Sequence, residues 1–448
     1  MPRQPEQPCV AALAQSYAER RAKLAVVGLG HVGLPLALAA AGAGLSTLGF
    51  DVDVAKIEAL ASGQNPLGHV SSTLLRPLLA EGRLRVSADA ASLAEADAIL
   101  LCVPTPLDAQ RQPDLSCIET AARTVARHLR RGQLIVLEST TWPGTTRRVL
   151  MPILEATSLA CGRDFFLAYS PEREDPGNAQ FGTATIPKLV AGADPDSLRL
   201  ALALYGAFVQ RVVPVASLET AEAAKLAENV FRAVNIALAN ELKLCFGAMG
   251  LDVWEVIEAA ATKPFGYTPF WPGPGPGGHC IPVDPHYLAW AARTHGVPAR
   301  LVELAAEVNA TAPLHVVQRL AQALLERRGA GLAGRRVLVL GLGYKRNIAD
   351  IRDSPGLALL ALLEARGAVV GFHDPLVPEI PALAGHPRLA GRRGVEWSQA
   401  LGGWDAALIA TDHDGVDYAT LAAHTPLVVD TRNVCARLGL AGAHILKA

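Results

Sequence analysis

No two cysteines in the sequence are spaced as CxxC, and the seven present, an odd number running from Cys9 to Cys435, form no framework. That excludes a disulfide-stapled scaffold and leaves each cysteine, by default, a small apolar residue in a reduced compartment. An excess of either charge is also lacking. The 41 basic and 42 acidic residues give a formal net charge of -1, which offers nothing to nucleic acid or to an anionic membrane surface. Aromatic residues are scarce at 5%, although half the chain is hydrophobic and the mean hydropathy is +0.25. The apolar content is therefore largely alanine, leucine and valine, the composition of an alanine-rich α/β protein. No uninterrupted run of 18 apolar residues occurs. The charge-free tract 32–50 comes nearest, but Pro35, Gly42, Gly44, Ser46 and Thr47 make it helix, turn and strand. Residues 1–23 lack the basic end, apolar stretch and small-residue cleavage site of a secretion signal. The expectation is a cytoplasmic protein with no nucleic-acid or membrane partner.

What is present is a repeated α/β rhythm in a chain of 448 residues, too long for one core. Apolar runs at 23–28, 45–50, 98–103, 133–137, 165–169 and 189–191 read as strands, with helices at 34–41 and 117–129. Over 218–249, apolar residues recur every three or four positions. This predicts one unusually long helix, apolar over much of its surface and sandwiched between domains or subunits. A helical block at 298–323 follows. Strands at 336–340, 368–372, 404–410 and 427–430 then restart the rhythm, with a helix at 354–366. The predicted fold class is α/β: two Rossmann-like domains, 1–212 and 326–448, joined by a helical middle domain, 213–325.

The first strand ends in Gly28-Leu29-Gly30-His31-Val32-Gly33 and opens a helix, with Asp51 at the end of the next strand. The first glycine permits a tight turn, the second lets a pyrophosphate approach the backbone, and the third lets the helix pack closely. An acidic residue at position 51 binds ribose hydroxyls and repels a 2'-phosphate, so the expected cofactor is NAD. Pro104 and Thr105, within 103–106 at a strand end, are candidates to close over it; a simple chain reversal is the alternative.

The run GPGPGGHCIPVDP, residues 273–285, holds Cys280. A metal can be drawn around it from His279, Asp284 and His286, but no second Cys/His pair has structural spacing and no HExxH helix exists, so no metal is expected. A buried inert cysteine fits poorly, because four glycines serve close approach of backbone to something. A thiol near a nicotinamide has a specific use. It can hold an aldehyde as a thiohemiacetal, which loses a second hydride to become a thioester that water opens to a carboxylate. Lys225 and Asn229, one helical turn apart, with Thr140, Glu172 and Asp284, match in kind the bases and donors this needs. A solvent-facing polar stripe is the alternative for the first two. A second glycine turn, Gly341-Leu342-Gly343, has Arg346 at the third glycine position and basic Lys345 and Arg352 nearby. It suits a nucleoside diphosphate better than a second dinucleotide, or else it is a surface charge cluster.

Five stretches together resemble the UDP-glucose/GDP-mannose dehydrogenase family of nucleotide-sugar 6-dehydrogenases, from about residue 22 to the end. They are GLGHVGLPLA from Gly28 (with His31 where tyrosine is commoner), ESTTWPG from Glu138, EAAKLAEN from Glu222, GGHC from Gly277 with Asp284, and GLGYK from Gly341 with DIRDSP from Asp350. The resemblance implies that Cys280 is the nucleophile, Lys225 and Asn229 stabilise the oxyanion, and Asp284 organises acid/base steps. It implies that Glu172 serves thioester hydrolysis and that Thr140 holds the active-site water beside the cofactor. It places Gly28, Gly30, Val32, Gly33, Asp51, Pro104 and Thr105 around NAD, and Glu172, Arg173, Lys225, Gly277, Lys345 and Arg352 around the substrate. It further implies a homodimer or higher oligomer built on the long helix, and a UDP-sugar partner bound by the last domain. The tract 169–178 and the His279-containing loop look most like the branch acting on UDP-N-acetylhexosamines, especially UDP-N-acetyl-D-glucosamine. The mannosamine and galactosamine epimers and UDP-glucose are the rivals. Beyond the family, a two-electron alcohol dehydrogenase and a non-catalytic nucleotide-sugar sensor are the alternatives.

Overall fold

Eight strands build the first sheet of the computed structural model: β1 (Lys23–Val27), β2 (Ser46–Phe50), β3 (Leu84–Ser87), β4 (Ala98–Leu101), β5 (Leu134–Leu137), β6 (Phe166–Tyr169), β7 (Lys188–Gly192) and β8 (Val212–Pro214). The structure describes residues 9–65, 72–175, 177–178, 180–329, 331–383 and 385–448. The start of the leader region and Pro176 of the 169–178 tract lie outside the described residues.

The strand order is β3-β2-β1-β4-β5-β6-β7-β8, parallel throughout except where β7 runs against β6. β4 and β5 are buried at every residue, as strands covered on both faces must be, which is why they read as unbroken apolar runs. Chain progress reverses between β1 and β4, which places a ligand crevice at the carboxyl ends of the strands there. Leu24 and Val26 share a buried cluster with Leu34, Ala37 and Ala41 of the helix Gly33–Gly42, where small alanines let helix and sheet approach closely.

The second sheet holds β9 (Arg336–Leu340), β10 (Val369–His373), β11 (Ala406–Ile409), β12 (Val428–Asp430) and β13 (Ile445–Lys447), all parallel, in the order β10-β9-β11-β12-β13. The expected architecture of two Rossmann-like α/β domains with a helical middle and a long helix is therefore what forms. Three strands escaped the sequence reading: β3, β8 and β13. Each is an edge strand of three or four residues, too short to carry an apolar pattern.

The long helix runs Leu218–Ala248. The next extended helix, Arg300–Arg328, outruns its expected end at residue 323 and stops at Gly329, whose left-handed backbone (φ 63°) lets its N–H return to the Leu325 carbonyl at 2.9 Å. Pro313 sits inside this helix without ending it. Its missing N–H leaves the Asn309 carbonyl without the usual helical partner. The chain divides into two compact units, Met1–Glu228 with Trp290–Gly296, and Asn229–Ala289 with Val297–Ala448. Among the described residues no helix is long and apolar enough to cross a membrane.

Candidate active site

In the first unit, the three fingerprint glycines answer to different constraints. Gly28 has φ 90°, and a Cβ on it would lie 2.5 Å from the Cys102 carbonyl oxygen; one on Gly33 would lie 1.9 Å from the Gly28 oxygen. Both positions need glycine for the fold itself. A Cβ on Gly30 would meet nothing within 4 Å, so the space over that residue is open to a ligand. Val32 precedes the helix that Gly33 begins. Asp51 is buried, and its carboxylate accepts the Leu29 amide and the Lys56 ammonium, each at 2.8 Å, and the Asp53 amide at 3.0 Å. Burial pushes the Asp51 carboxyl up, but Lys56 and the two amides outweigh it and hold it below the usual carboxylate range. An ionised carboxylate at the end of the second strand, beside an open glycine turn, is what a dinucleotide needs. Ser139 Oγ accepts the Val103 amide at 3.0 Å and donates to the Val103 carbonyl at 2.7 Å. This ties the segment carrying exposed Pro104 and buried Thr105 to the turn that carries Thr140.

The carboxyl ends of β5 and β6 carry Glu138 and Glu172. Because β7 is antiparallel, its first residue, Lys188, arrives at the same end. Lys188 Nζ lies 2.5 Å from Glu138 Oε2, 3.2 Å from the Pro171 carbonyl and 3.4 Å from Glu172 Oε2. Glu138 is fully buried and also accepts the Tyr205 hydroxyl. Arg173, expected to face the substrate, has its guanidinium on both oxygens of Glu228 at 2.6 and 3.1 Å and on the Pro187 carbonyl at 2.7 Å. Glu222 accepts the amides of Gly144 and Thr146 at 2.5 and 2.8 Å, bracing the turn after Thr140 from the long helix. Lys225 stands one turn further along. It is only 6% exposed, and no hydrogen bond or ion pair to a described residue engages its ammonium.

In the second unit, the glycine-rich loop approaches its own chain closely. A Cβ on Gly275 (φ 111°) would lie 3.1 Å from the Asn309 carbonyl oxygen, the one Pro313 leaves without its helical donor. A Cβ on Gly277 would lie 2.6 Å from Tyr344 Cβ and 2.8 Å from Pro355 Cδ, and Gly278 donates its amide to the Arg352 carbonyl at 3.1 Å. The glycines thus seat the cysteine loop against the segment carrying Lys345, whose side chain is half-buried. The Arg352 guanidinium is gripped by Asp350 at 2.6 to 3.0 Å and also interacts electrostatically with Cys280. Cys280 itself is half-buried. Its carbonyl accepts the amides of Val283 and Asp284 at 3.2 and 2.9 Å and so starts the helix Asp284–Thr294. Asp284 and Asn229 are both buried; the Asn229 amide donates to Asp284, and Arg232 donates to the Asn229 oxygen. Burial, then Arg352, holds His279 below the ordinary histidine range, and its Nε2 is buried without a hydrogen-bond partner.

Two cations here escaped sequence reasoning. Lys243 Nζ reaches the Gly273 carbonyl at 3.4 Å, and a Cβ on Gly273 would lie 2.9 Å from the Arg432 guanidinium. Burial, then Arg432, pushes Lys243 down to about 8. A lysine one turn after a buried asparagine, Asn240, on an amphipathic helix was the available signal. The second glycine turn is filled from within: a Cβ on Gly343 would lie 2.1 Å from the Ile348 carbonyl oxygen. Asp374, the counterpart of Asp51, is occupied by the amides of Leu342, Gly343, Leu376 and Val377 and by His413. That turn leaves no dinucleotide cradle like the one over Gly30.

The open glycine turn and ionised Asp51, on a pair of Rossmann-like domains, define an NAD-dependent oxidoreductase. Models of the UDP-glucose/GDP-mannose dehydrogenase family match the chain as NAD binding domain over residues 22–209, central domain over 219–311 and UDP binding domain over 338–437. The chain is 36% identical over 357 residues to a UDP-N-acetyl-D-glucosamine 6-dehydrogenase of Pseudomonas aeruginosa, covering 79% of this chain and 83% of that one. It is 33% identical over 421 residues to an NDP-N-acetyl-D-galactosaminuronic acid dehydrogenase of Ralstonia solanacearum, covering 92% and 96%. A solved UDP-D-ManNAc dehydrogenase from Pyrococcus horikoshii superposes with a TM-score of 0.84 at 32% identity, over 95% of this chain and 98% of that one. The chain belongs to the UDP-glucose/GDP-mannose dehydrogenase family. It is an enzyme, an NAD-dependent nucleotide-sugar 6-dehydrogenase.

Proposed function

We propose that the enzyme oxidises the C6 hydroxyl of a UDP-N-acetylhexosamine, UDP-N-acetyl-D-glucosamine before its epimers, to the carboxylate by way of a thiohemiacetal and a thioester on Cys280. The observation that carries the mechanism is Lys225, a buried lysine with no carboxylate partner among the described residues. An unpaired buried charge costs several kcal/mol, about 3–5 for a broken pair, and is retained where a negative charge develops during the reaction. Asn229, one turn on, holds Asp284, and Asp284 opens the helix that follows Cys280.

When bound, NAD supplies the two-electron acceptor for each oxidation. Gly28, Gly30, Val32, Gly33, Asp51, Pro104, Thr105 and Thr140 hold it. Lys225 and Asn229 stabilise the oxyanion, Asp284 handles the proton of the hydroxyl, and Cys280 keeps the aldehyde carbon covalently held. Glu172 takes the proton of the water that opens the thioester, with Thr140 orienting that water. Arg173, Gly277, Lys345 and Arg352 complete the substrate set, with Arg173 and Arg352 acting through the carboxylates that grip them. Lys243 and Arg432 join them as anion-binding cations.

The glucosamine reading is supported by the 36% identity with the Pseudomonas enzyme. UDP-N-acetyl-D-mannosamine is the second reading, favoured by the TM-score of 0.84 with the Pyrococcus enzyme. The purified protein with NAD and a panel of UDP-sugars tests both. The expected result is two NADH per sugar and the highest kcat/KM with UDP-N-acetyl-D-glucosamine, while Cys280→Ser binds substrate without completing oxidation. Normal rate and stoichiometry in that variant would overturn the thioester mechanism, whereas preference for another epimer would replace only the sugar. We also propose a homodimer or higher homo-oligomer. Phe231, Leu238 and Cys245, seven apart on the long helix, form an exposed apolar stripe on one face.

A further inference from the structure

Lys188, buried beside Glu172, has no place in the mechanism so far. Three carboxylates, Glu138, Glu172 and Glu174, surround this one ammonium, which is 5% exposed. Its grip is uneven: 2.5 Å to Glu138 and 3.4 Å to Glu172. Glu138 is the fixed counter-ion, further anchored by the Tyr205 hydroxyl. Glu172 is the adjustable partner. One of its oxygens is pinned by the amides of Arg173 and Glu174 at 2.6 and 2.7 Å, and the other faces Lys188 at 3.4 Å.

We propose that Lys188 is a positioning residue for thioester hydrolysis, holding the Glu172 carboxylate aimed while Glu138 keeps the ammonium in place. The proposal rests on the reading of Glu172 as the hydrolytic base. In that step a water oxygen bonds to the thioester carbonyl carbon and one water proton passes to Glu172. The C–S bond breaks, the Cys280 sulfur leaves with the electron pair, and the product acid releases the second proton. A lone buried Glu138–Lys188 pair would serve the fold alone, but the same ammonium also holds the Pro171 carbonyl at 3.2 Å, next to the base.

The titratable groups facing the cluster are Glu138, Glu172, Glu174, Lys188, Tyr205 and Cys102, with the Arg173–Glu228 pair alongside. Burial, then Glu172, pushes Glu174 up to about 8, and burial raises Glu138 against the pull of Lys188. Removing the ammonium takes a positive charge away from beside the Glu172 carboxylate.

Rapid mixing with saturating NAD and substrate separates hydride transfer, seen as the first-turnover NADH burst, from hydrolysis, seen as steady turnover. Lys188→Met leaves Glu138 buried without its cation, so it is paired with a charge-balanced variant carrying Lys188→Met and Glu138→Gln. Both should keep a burst of two NADH per site. Turnover should fall about tenfold to a hundredfold, and the acidic limb of the pH–rate profile should move up by about one unit. Lys188→Arg should restore most of the loss. A burst slowed as much as turnover, or a charge-balanced variant with wild-type turnover and an unmoved acidic limb, overturns the proposal. Glu172→Gln is the separate check: it should give the burst with almost no turnover at any pH. Normal turnover there removes the reading of Glu172 itself.

Discussion

The side-chain amide of Asn229 on the long helix donates to the buried Asp284 carboxylate in the first turn of the helix that follows Cys280. Replacing Asn229 with alanine removes that donor and should lower kcat about tenfold to a hundredfold with NAD affinity unchanged. Asn229→Asp should be worse, and increasingly so as pH rises, because two buried carboxylates in contact cannot both ionise. NADH formation as a function of pH, with NAD titration by fluorescence, checks both variants.

The glycine turn makes opposite predictions at two positions three residues apart. Gly33→Ala drives a methyl to within 1.9 Å of a carbonyl oxygen and should destabilise the protein by more than about 2 kcal/mol. Gly30→Ala meets open space, so stability should change by less than about 1 kcal/mol while NAD binding weakens about tenfold or more. Denaturant unfolding and NAD titration of each variant decide the matter.

Lys243 is pushed down to about 8 by burial and then by Arg432. A lysine depressed in the fold binds fewer protons there than in the unfolded chain, so it lowers stability fully below about pH 8 and ceases to do so as pH approaches the ordinary lysine range. Lys243→Met should therefore raise stability by about 1–3 kcal/mol at pH 7, with the gain shrinking above pH 8. If the lysine binds the nucleotide's anion, the same variant should weaken UDP binding. Thermal unfolding with and without UDP reads both effects.

Leu238→Asp places a charge in the exposed stripe of the long helix. Sedimentation should show the wild type as a dimer or larger assembly and the variant shifted towards monomer. Retention of NAD binding would show that the first unit is still folded.

The dinucleotide fingerprint and the central strands were readable because their signals are local: an apolar run, a glycine spacing, an acid at the next strand end. The cysteine loop was readable as a place of close approach, but not what it approaches, since Tyr344 and Pro355 are far along the chain from Gly277. The long helix was placed to within one residue by its apolar period. Arg173 and Lys188 show where such reading stops. An arginine in a polar tract suggested a substrate contact, and nothing local signalled that its guanidinium also pairs with Glu228; a lysine at the head of an apolar strand gave no signal of its pairing with Glu138 and Glu172. Burial and long-range pairing decide such cases, and neither has a local signature. A charged residue opening the run KLVAG was the one available hint, because a lysine that enters a buried strand must find its partner there.

The reversed direction of β7 also limits how this protein can change. In a sheet of forward-running strands, new chemistry is added by lengthening the loops that leave the strand ends. Here one strand offers its beginning, and the tether is the ladder itself, Tyr169 against Ala191 and Ala168 against Gly192. A single-residue insertion between Leu189 and Ala191 would turn the ammonium to the opposite face and bring Leu189 against Glu138. Loop variation near this strand is therefore tolerable only outside residues 188–192, whereas even a silent-looking deletion between Lys188 and Ala191 would put Pro187 where the ammonium stood.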